Sequence, residues 1–169
     1  MIQVGPTLTY PLDALRPEIA ARYPWFTIQH EEPLLATNDS YDSHRKQYHS
    51  TRLLVALEKH AEGLQAGRLL GVTAFDLYVP GMNFVFGEAR CPGRVAIIST
   101  YRLKVGSEGN PDLFHQRLVK EAIHEIGHTL GLRHCSDSSC VMYFSERLSD
   151  TDRKRAELCS ACRMKMAGT

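Results

Sequence analysis

Eleven residues, HEIGHTLGLRH at positions 124–134, constrain this chain more than any other segment. On a helix, residues four apart share a face, so the imidazoles of His124 and His128 project together, one turn apart. That spacing allows two ring nitrogens to reach one zinc ion at about 2.0–2.1 Å. Glu125 flanks the pair and can take a proton from a water molecule beside the metal without ligating it.

A third ligand has to come from beyond the helix. Gly131 is a suitable helix end, because glycine readily adopts the left-handed conformation that follows a last helical turn. After that turn His134 can return to the metal, and three nitrogen ligands leave one position open, as in catalytic zinc sites. A bare His-Glu-x-x-His pair also occurs by chance on surface helices, but the extended pattern fixes five positions in eleven. Met142 follows as the candidate for a downstream methionine turn.

A second cluster is formed by four of the five cysteines, which lie within the last 35 residues: Cys135, Cys140, Cys159 and Cys162. Four thiolates make a closed, tetrahedral, structural zinc site. Successive side chains of an extended chain point to opposite sides, so His134 can face a cleft while Cys135 faces the tail. We therefore predict two zinc ions, one catalytic and one structural. Paired disulfides and a Cys159/Cys162 redox couple remain as alternatives, and Cys91 is interpreted as a buried or idle thiol.

The amino-acid composition limits the class of protein and the kinds of partner to be expected. The 169 residues carry a net charge of +1, with 43% hydrophobic and 23% charged residues. This balance is typical of one globular domain and indicates neither a nucleic-acid nor an anionic-membrane partner. No stretch approaches the roughly 20 apolar residues that span a bilayer, and the first residues lack the pattern of a secretory signal. We expect a cytoplasmic monomer in which clustered cysteines bind metal.

Hydrophobic periodicity and proline positions predict strands that alternate with helices. The predicted helices cover 11–22, 43–64 and a segment that runs from Asn110, as N-cap, to Leu130. The predicted strands cover 25–32, 68–79, 82–89 and 94–103. This order favours an α/β lobe that carries the histidine helix, followed by a small irregular lobe.

The two motifs together resemble those of the archaemetzincins (archaelysins), a family of metzincin zinc metallopeptidases. The resemblance lies in HEIGHTLGLRH followed directly by Cys135, then C-x4-C-x-M and a terminal C-x2-C. It is sharp over 124–162 and looser over 41–48, 76–89 and 95–103. The 16 residues between Met142 and Cys159 are about one fewer than is usual in that family, a difference that a loop can absorb.

The resemblance implies a metzincin-type α+β or α/β fold with a mixed twisted sheet and two long helices over a cleft. The chain is expected to form one catalytic domain, 1–169, with an upper lobe over 1–131 and a zinc-stabilised, cysteine-rich lower lobe over 132–169. Met142 would lie below the metal as packing, and MNFVFGEA (82–89) would be the edge strand that pairs with a peptide. Some metzincins have a tyrosine where this chain has Phe144; Tyr143 is its neighbour.

The resemblance also implies the residue roles: His124, His128 and His134 on the catalytic zinc, Glu125 as general base, and the four clustered cysteines on the structural zinc. The leading hypothesis is therefore zinc-dependent hydrolysis of a peptide or protein substrate. Some family members are aminopeptidases, which hold a free amine with a carboxylate; Glu88 and Glu121 are the candidates here.

The alternative hypothesis is a zinc-stabilised peptide- or nucleic-acid-binding protein with little or no proteolytic activity. It depends on basic residues around the last two cysteines: Arg153, Lys154, Arg155, Arg163 and Lys165. A solvated basic face that compensates thiolate charge is the favoured interpretation of this patch, so no nucleic-acid partner is expected. The other histidines have no shared metal-ligand spacing.

Overall fold

The computed structural model describes residues 1–167. Its helices are α1 Arg16–Arg22, α2 Ser50–Glu62, α3 Thr100–Leu103, α4 Pro111–Thr129, α5 Leu148–Arg153 and α6 Ser160–Ala167. Its strands are β1 Ile2–Val4, β2 Tyr41–Asp42, β3 Gln47–His49, β4 Leu69–Thr73, β5 Leu77–Tyr78, β6 Gly87–Ala89 and β7 Val95–Ser99. Short 3₁₀ turns cover Leu12–Leu15 and Asn38–Ser40.

The main sheet has the strand order β1-β4-β7-β6. Strands β1, β4 and β7 are parallel, and β6 is antiparallel to β7 at one edge. All five residues of β4 and of β7 are buried, as the apolar runs in the sequence predicted for central strands. A smaller sheet, β2-β3-β5, lies beside it.

The two long helices lie against opposite faces of the main sheet. Side chains alternate between the two faces along each strand, so neighbouring strand residues contact different helices. On one face, Leu57 of α2 packs with Leu69 and Ile97. On the other face, Ile123 of α4 packs with Leu70 and Ile98. The mixed sheet with two long helices confirms the predicted architecture.

The C-terminal segment shares the core of the α4 face, to which Cys140, Val141, Met142, Leu158 and Cys162 contribute. Sequence divides the chain into lobes at 131/132, and this division stays a prediction. Within residues 1–167, no helix is long and apolar enough to cross a membrane.

The predicted strand over 25–32 is wrong. Within this segment Glu31 N–H donates to Met1 O at 2.9 Å, and just beyond it Leu34 N–H donates to Gln3 O at 2.9 Å. No residue of 25–32 is in a strand, and the isolated bridge that β1 makes to the following chain is Val4 with Leu34. The Trp25 side chain remains 56% exposed.

Four other predicted boundaries are corrected. The strand predicted over 82–89 covers only Gly87–Ala89, and local turns account for the other three. The helix predicted from residue 43 begins at Ser50, because 41–49 form a hairpin in which Lys46 has φ 55°. The strand predicted over 68–79 is split into β4 and β5 by a bend at Ala74 and Phe75, where the Thr73 hydroxyl accepts from Phe75 N–H. The strand predicted over 94–103 ends at Ser99, whose hydroxyl caps α3. Strand β1 was not predicted.

Candidate active site

Helix α4 carries the predicted histidine motif and ends as the sequence indicates. Gly131 has φ +89°. Its N–H donates to His128 O at 2.9 Å, and Leu132 N–H donates to Gly127 O at 3.0 Å. This pair of bonds is a Schellman motif, which a left-handed glycine makes possible. The turn brings the chain after Gly131 back toward the histidine face.

The structure brings the three predicted histidines together. One ring nitrogen from each of His124, His128 and His134 lies within 4.8 Å of the others. The Nε2 atoms of His124 and His128 are 3.0 Å apart. His124 is only 4% exposed, whereas His134 is exposed and packs its ring 4.8 Å from that of Phe144. Two ligand candidates are thus fixed inside the fold, and the third stands at its surface.

Backbone carbonyls fix the tautomers of both helical histidines. Nδ1 of His124 lies 2.7 Å from Val141 O, and Nδ1 of His128 lies 2.7 Å from Leu132 O. A carbonyl only accepts, so each Nδ1 carries the proton and each Nε2 presents a lone pair. Burial lowers the pKa of His124 well below its ordinary value, and the nearby Lys154 ammonium lowers it further. Neutral imidazoles with facing lone pairs fit a zinc ion.

Glu125 lies beside the histidines with one carboxylate oxygen unused. The residue is 4% exposed, and Oε2 is buried without a hydrogen-bond partner among the described residues. Burial raises the pKa of Glu125 well above its ordinary value, and the neighbouring Glu121 raises it further. Strand β6 allows this placement only through Gly87, because a Cβ there would lie 2.8 Å from Glu125 Oε1.

Met142 lies under α4, fully buried. A Cβ on Gly127 would be 2.6 Å from its sulfur, so helix and methionine are in close contact at this glycine. Tyr23, also fully buried, donates its hydroxyl to Ile123 O at 2.8 Å from the same region. The metal-facing helix therefore rests on packed groups from both ends of the chain.

The four clustered cysteines also come together. Sγ of Cys135 is 3.8 Å from that of Cys159, and Sγ of Cys140 is 3.8 Å from that of Cys162. All four sulfurs lie within 4.8 Å of one another. A disulfide would need about 2.05 Å, whereas tetrahedral zinc with Zn–S bonds of about 2.3 Å separates its sulfurs by about 3.8 Å. The four thiols are free, and their spacing fits zinc.

The environment of the cysteines favours a cation as well. The backbone N–H of Cys162 lowers the pKa of the Cys159 thiol to about 7, while burial raises the pKa of Cys140. A bound metal ion would supply the positive charge that a buried thiolate needs.

The two clusters are joined by a short stretch of backbone. His134 and Cys135 are neighbours, as the sequence requires. Cys135 N–H donates to Met142 O at 2.9 Å, and Cys135 pairs with Tyr143 as an isolated bridge. The residues that hold His134 in place are thus the residues that present the first cysteine.

The histidines open into a cleft of about 450 Å³. Its walls include edge strand β6, together with three aromatic side chains, Phe84, Phe86 and Phe144. Cys91, interpreted from sequence as a buried or idle thiol, is not buried: it is exposed at the cleft margin. A slightly larger hollow of about 480 Å³ lies between residues 25–31 and 64–70, away from the histidines.

Sequence reasoning missed one feature of the site, a buried ion pair. Lys154 Nζ lies 2.9 Å from Glu121 Oε1, and these side chains are 0% and 4% exposed. Glu121 is therefore engaged in an ion pair, and Lys154 is not part of a basic surface patch. The signal in the sequence was the spacing of Glu121, one turn before Glu125, but nothing pointed to a partner 33 residues away.

The fold and site together define the class, a metzincin-type zinc metallopeptidase. The model of the family described as "Peptidase family M54" matches residues 33–168. The chain belongs to this family.

Relatives with the name archaemetzincin confirm the resemblance found in the sequence. The archaemetzincin of Methanopyrus kandleri is 48% identical over 123 residues, which cover 73% of this chain and 67% of the relative. That of Archaeoglobus fulgidus is 45% identical over 126 residues, with 75% and 72% covered.

Solved structures agree with the sequence matches. The archaemetzincin structure from Methanopyrus kandleri matches with a TM-score of 0.81 and 35% identity, covering 99% of this chain and 92% of that one. The archaemetzincin structure from Archaeoglobus fulgidus gives 0.78 and 36%, with 97% of each chain covered. A zinc-dependent peptidase from Methanocorpusculum labreanum gives 0.82 and 29%, with 98% and 100% covered. The protein has the metzincin-type fold and is a zinc metallopeptidase.

Proposed function

We propose that His124, His128 and His134 hold the catalytic zinc and that Glu125 is the general base of peptide-bond hydrolysis. The observation that carries this proposal is the convergence of three ring nitrogens beside a buried carboxylate with an unused oxygen. Three protein ligands leave one coordination position for reactants, which is the arrangement of catalytic zinc sites.

Zinc bound at this position supplies a Lewis acid that polarises the scissile carbonyl and lowers the pKa of water toward about 7. Glu125 accepts the proton of the attacking water on Oε2 and then delivers it to the leaving amine. Val141 O and Leu132 O keep the two helical imidazoles in the ligating tautomer throughout.

We propose that the substrate is a peptide that pairs with edge strand β6 and places apolar side chains against Phe84, Phe86 and Phe144. An unpaired strand edge offers backbone donors and acceptors to an extended peptide. Met142, packed beneath Gly127, would support the metal site without ligating it.

An aminopeptidase mode needs an available carboxylate, and both candidates are engaged. Glu88 accepts from the hydroxyls of Ser50 and Thr51, and Glu121 pairs with Lys154. We therefore propose hydrolysis that does not depend on a free N-terminus. Equal cleavage of a peptide and of its N-acetylated form supports this proposal, and cleavage of the free amine alone contradicts it.

We propose a second, structural zinc on Cys135, Cys140, Cys159 and Cys162, so that the protein holds two zinc ions. The 3.8 Å sulfur separations support a closed tetrahedral site. We further propose that the protein is a monomer in the cytoplasm, where clustered thiols stay reduced and bind metal. The nucleic-acid alternative loses support from the burial of Lys154, which removes one cation from the basic patch.

The test uses zinc-loaded protein, a broad peptide mixture and the variant Glu125→Gln. The expected result is cleavage by the wild type and a kcat lower by about 10²- to 10⁴-fold in the variant, the range for loss of a general base. Zinc content should be unchanged, since Glu125 is not a proposed ligand. Equal activity in both proteins would exclude Glu125 as the base.

A further inference from the structure

The ion pair between Lys154 and Glu121 is unusual for its burial. Lys154 is 1% exposed, and its ammonium lies 2.9 Å from Glu121 Oε1. Removing two charges from water costs more free energy than their attraction often returns, and apolar replacements of buried pairs are frequently neutral or stabilising. Stability alone therefore gives a weak reason for the presence of this pair.

The contacts of the pair connect three parts of the molecule. Glu121 lies on α4, and its Oε1 also accepts from Thr151 Oγ1 of α5 at 3.2 Å. Lys154 follows α5 directly, and its Nζ also donates to Tyr143 O at 3.4 Å. Helix α4, helix α5 and segment 141–144 thus meet at one buried cation.

Segment 141–144 touches two of the three histidines. Val141 O accepts from Nδ1 of His124, and the Phe144 ring packs against the ring of His134. A displacement of this segment would therefore change the orientation of two of the three proposed ligands.

We infer that Lys154 and Glu121 form a positioning pair, which fixes segment 141–144 against α4 and so orients His124 and His134 for zinc. This inference rests on the proposed function of those histidines. Neither residue is catalytic, because each acts through the segment or the helix that it holds. Backbone groups that orient histidine ligands commonly contribute about 10- to 100-fold to metal affinity or activity.

A second ion pair gives a matched control. Arg117 lies on α4 one turn before Glu121, and it pairs with Asp152 of α5 through two bonds of 2.6 and 2.8 Å. Its side chain is 5% exposed. Its other acceptors are Leu103 O and Val105 O, which lie outside segment 141–144. It connects the same two helices without holding that segment.

The experiment compares Lys154→Met/Glu121→Leu with Arg117→Met/Asp152→Leu and the wild type. Double apolar variants avoid leaving an unpaired buried charge, which would itself be strongly destabilising. Affinity for the catalytic zinc is measured by chelator competition, with the cysteine zinc as an internal reference. Thermal stability, kcat and KM are measured on the same preparations.

The expected result is a roughly 10- to 100-fold lower affinity for the catalytic zinc in the Lys154/Glu121 variant. This is the typical effect of losing a group that orients a metal ligand. Its kcat should fall by a similar factor with KM little changed, while the Arg117/Asp152 variant keeps both zinc affinity and kcat. Wild-type zinc affinity in the Lys154/Glu121 variant, or equal losses in both variants, would overturn the inference. A wild type that cleaves no peptide would contradict the proposed function. The zinc affinities of the two variants would still decide whether Lys154 and Glu121 position the histidines.

Discussion

The histidine and cysteine clusters, each proposed to bind a zinc ion, are built in contrasting ways. The histidine cluster draws two residues from the long, buried helix α4 and a third, exposed residue from beyond its end, and it opens into a cleft. The cysteine cluster draws all its residues from 135–162 and has sulfur separations that close a tetrahedron. Open coordination permits chemistry, whereas closed coordination stabilises structure.

The difference teaches how the two clusters depend on each other. The third histidine has no helix to hold it, and Cys135 is the next residue. A metal on the cysteines would therefore restrain His134 through one peptide unit and the Cys135–Met142 hydrogen bond. Loss of the histidine cluster should cost activity, while loss of the cysteine cluster should cost stability first.

The largest expected effect is on activity, from His128→Ala. Removing one of three ligands should lower kcat/KM by at least about 1000-fold, because the metal supplies several kcal/mol of transition-state stabilisation. Unfolding temperature should change little. Peptide-cleavage kinetics and thermal melts measure the two quantities on one preparation, and retained activity would rule out His128 as a ligand.

The next effect is on stability, from Cys140→Ser. A structural zinc couples its binding free energy to folding. Loss of one ligand should therefore lower the free energy of unfolding by roughly several kcal/mol. Denaturant unfolding measures the change. Cys91→Ser is the matched control, since Cys91 lies outside the cluster, and it should leave stability unchanged. A variant as stable as the control would leave the cysteines without a structural role.

A smaller effect is expected from Gly127→Ala, which places a Cβ 2.6 Å from the Met142 sulfur. Overpacking of this kind lowers stability by about 1–3 kcal/mol. The higher helix propensity of alanine offsets up to about 1 kcal/mol of this loss. We expect a net loss of stability and a lower kcat, because the helix shifts beside His128. Gly67→Ala, where a Cβ meets nothing within 4 Å, should show neither change. Identical behaviour of the two variants would exclude close packing under α4.

The smallest effect is expected from Tyr23→Phe. Losing the hydroxyl leaves Ile123 O without this donor, which costs about 0.5–1.5 kcal/mol of stability. The helix keeps its other packing, so kcat should stay within about twofold of the wild-type value. This corresponds to a change in activation free energy below about 0.5 kcal/mol. Unfolding curves and steady-state rates provide the comparison, and a large kcat loss would show that Tyr23 acts on the histidines directly.

Local signals in the sequence predicted most of the site. The spacing of His124 and His128, the glycine at 131 and the two cysteine pairs each depend on near neighbours, and the structure brings these residues together as expected. Asn110 and Pro111 likewise marked the start of α4, where the Asn110 side chain accepts from Leu113 N–H at 3.1 Å.

Long-range pairing explains what the sequence could not supply. Strand β1 is three residues long and is defined by its register with β4. Segment 25–32 resembles a strand in sequence but is not in a strand in the structure. The Lys154–Glu121 pair joins residues 33 positions apart, and Gly87 matters only because Glu125 lies against it. Such features depend on which elements meet in space, which residue periodicity does not encode.

The most direct test of the two-cluster account is the zinc content of the purified chain and of two variants, His124→Ala and Cys140→Ser. The account predicts two zinc ions per wild-type chain, one in the histidine variant, and none or only the histidine-bound ion in the cysteine variant. Cobalt substitution should give sulfur-to-metal charge-transfer absorption in the histidine variant but not in the cysteine variant. A wild type with one zinc ion that disappears with His124→Ala would contradict the account, because the four cysteines would then hold no metal.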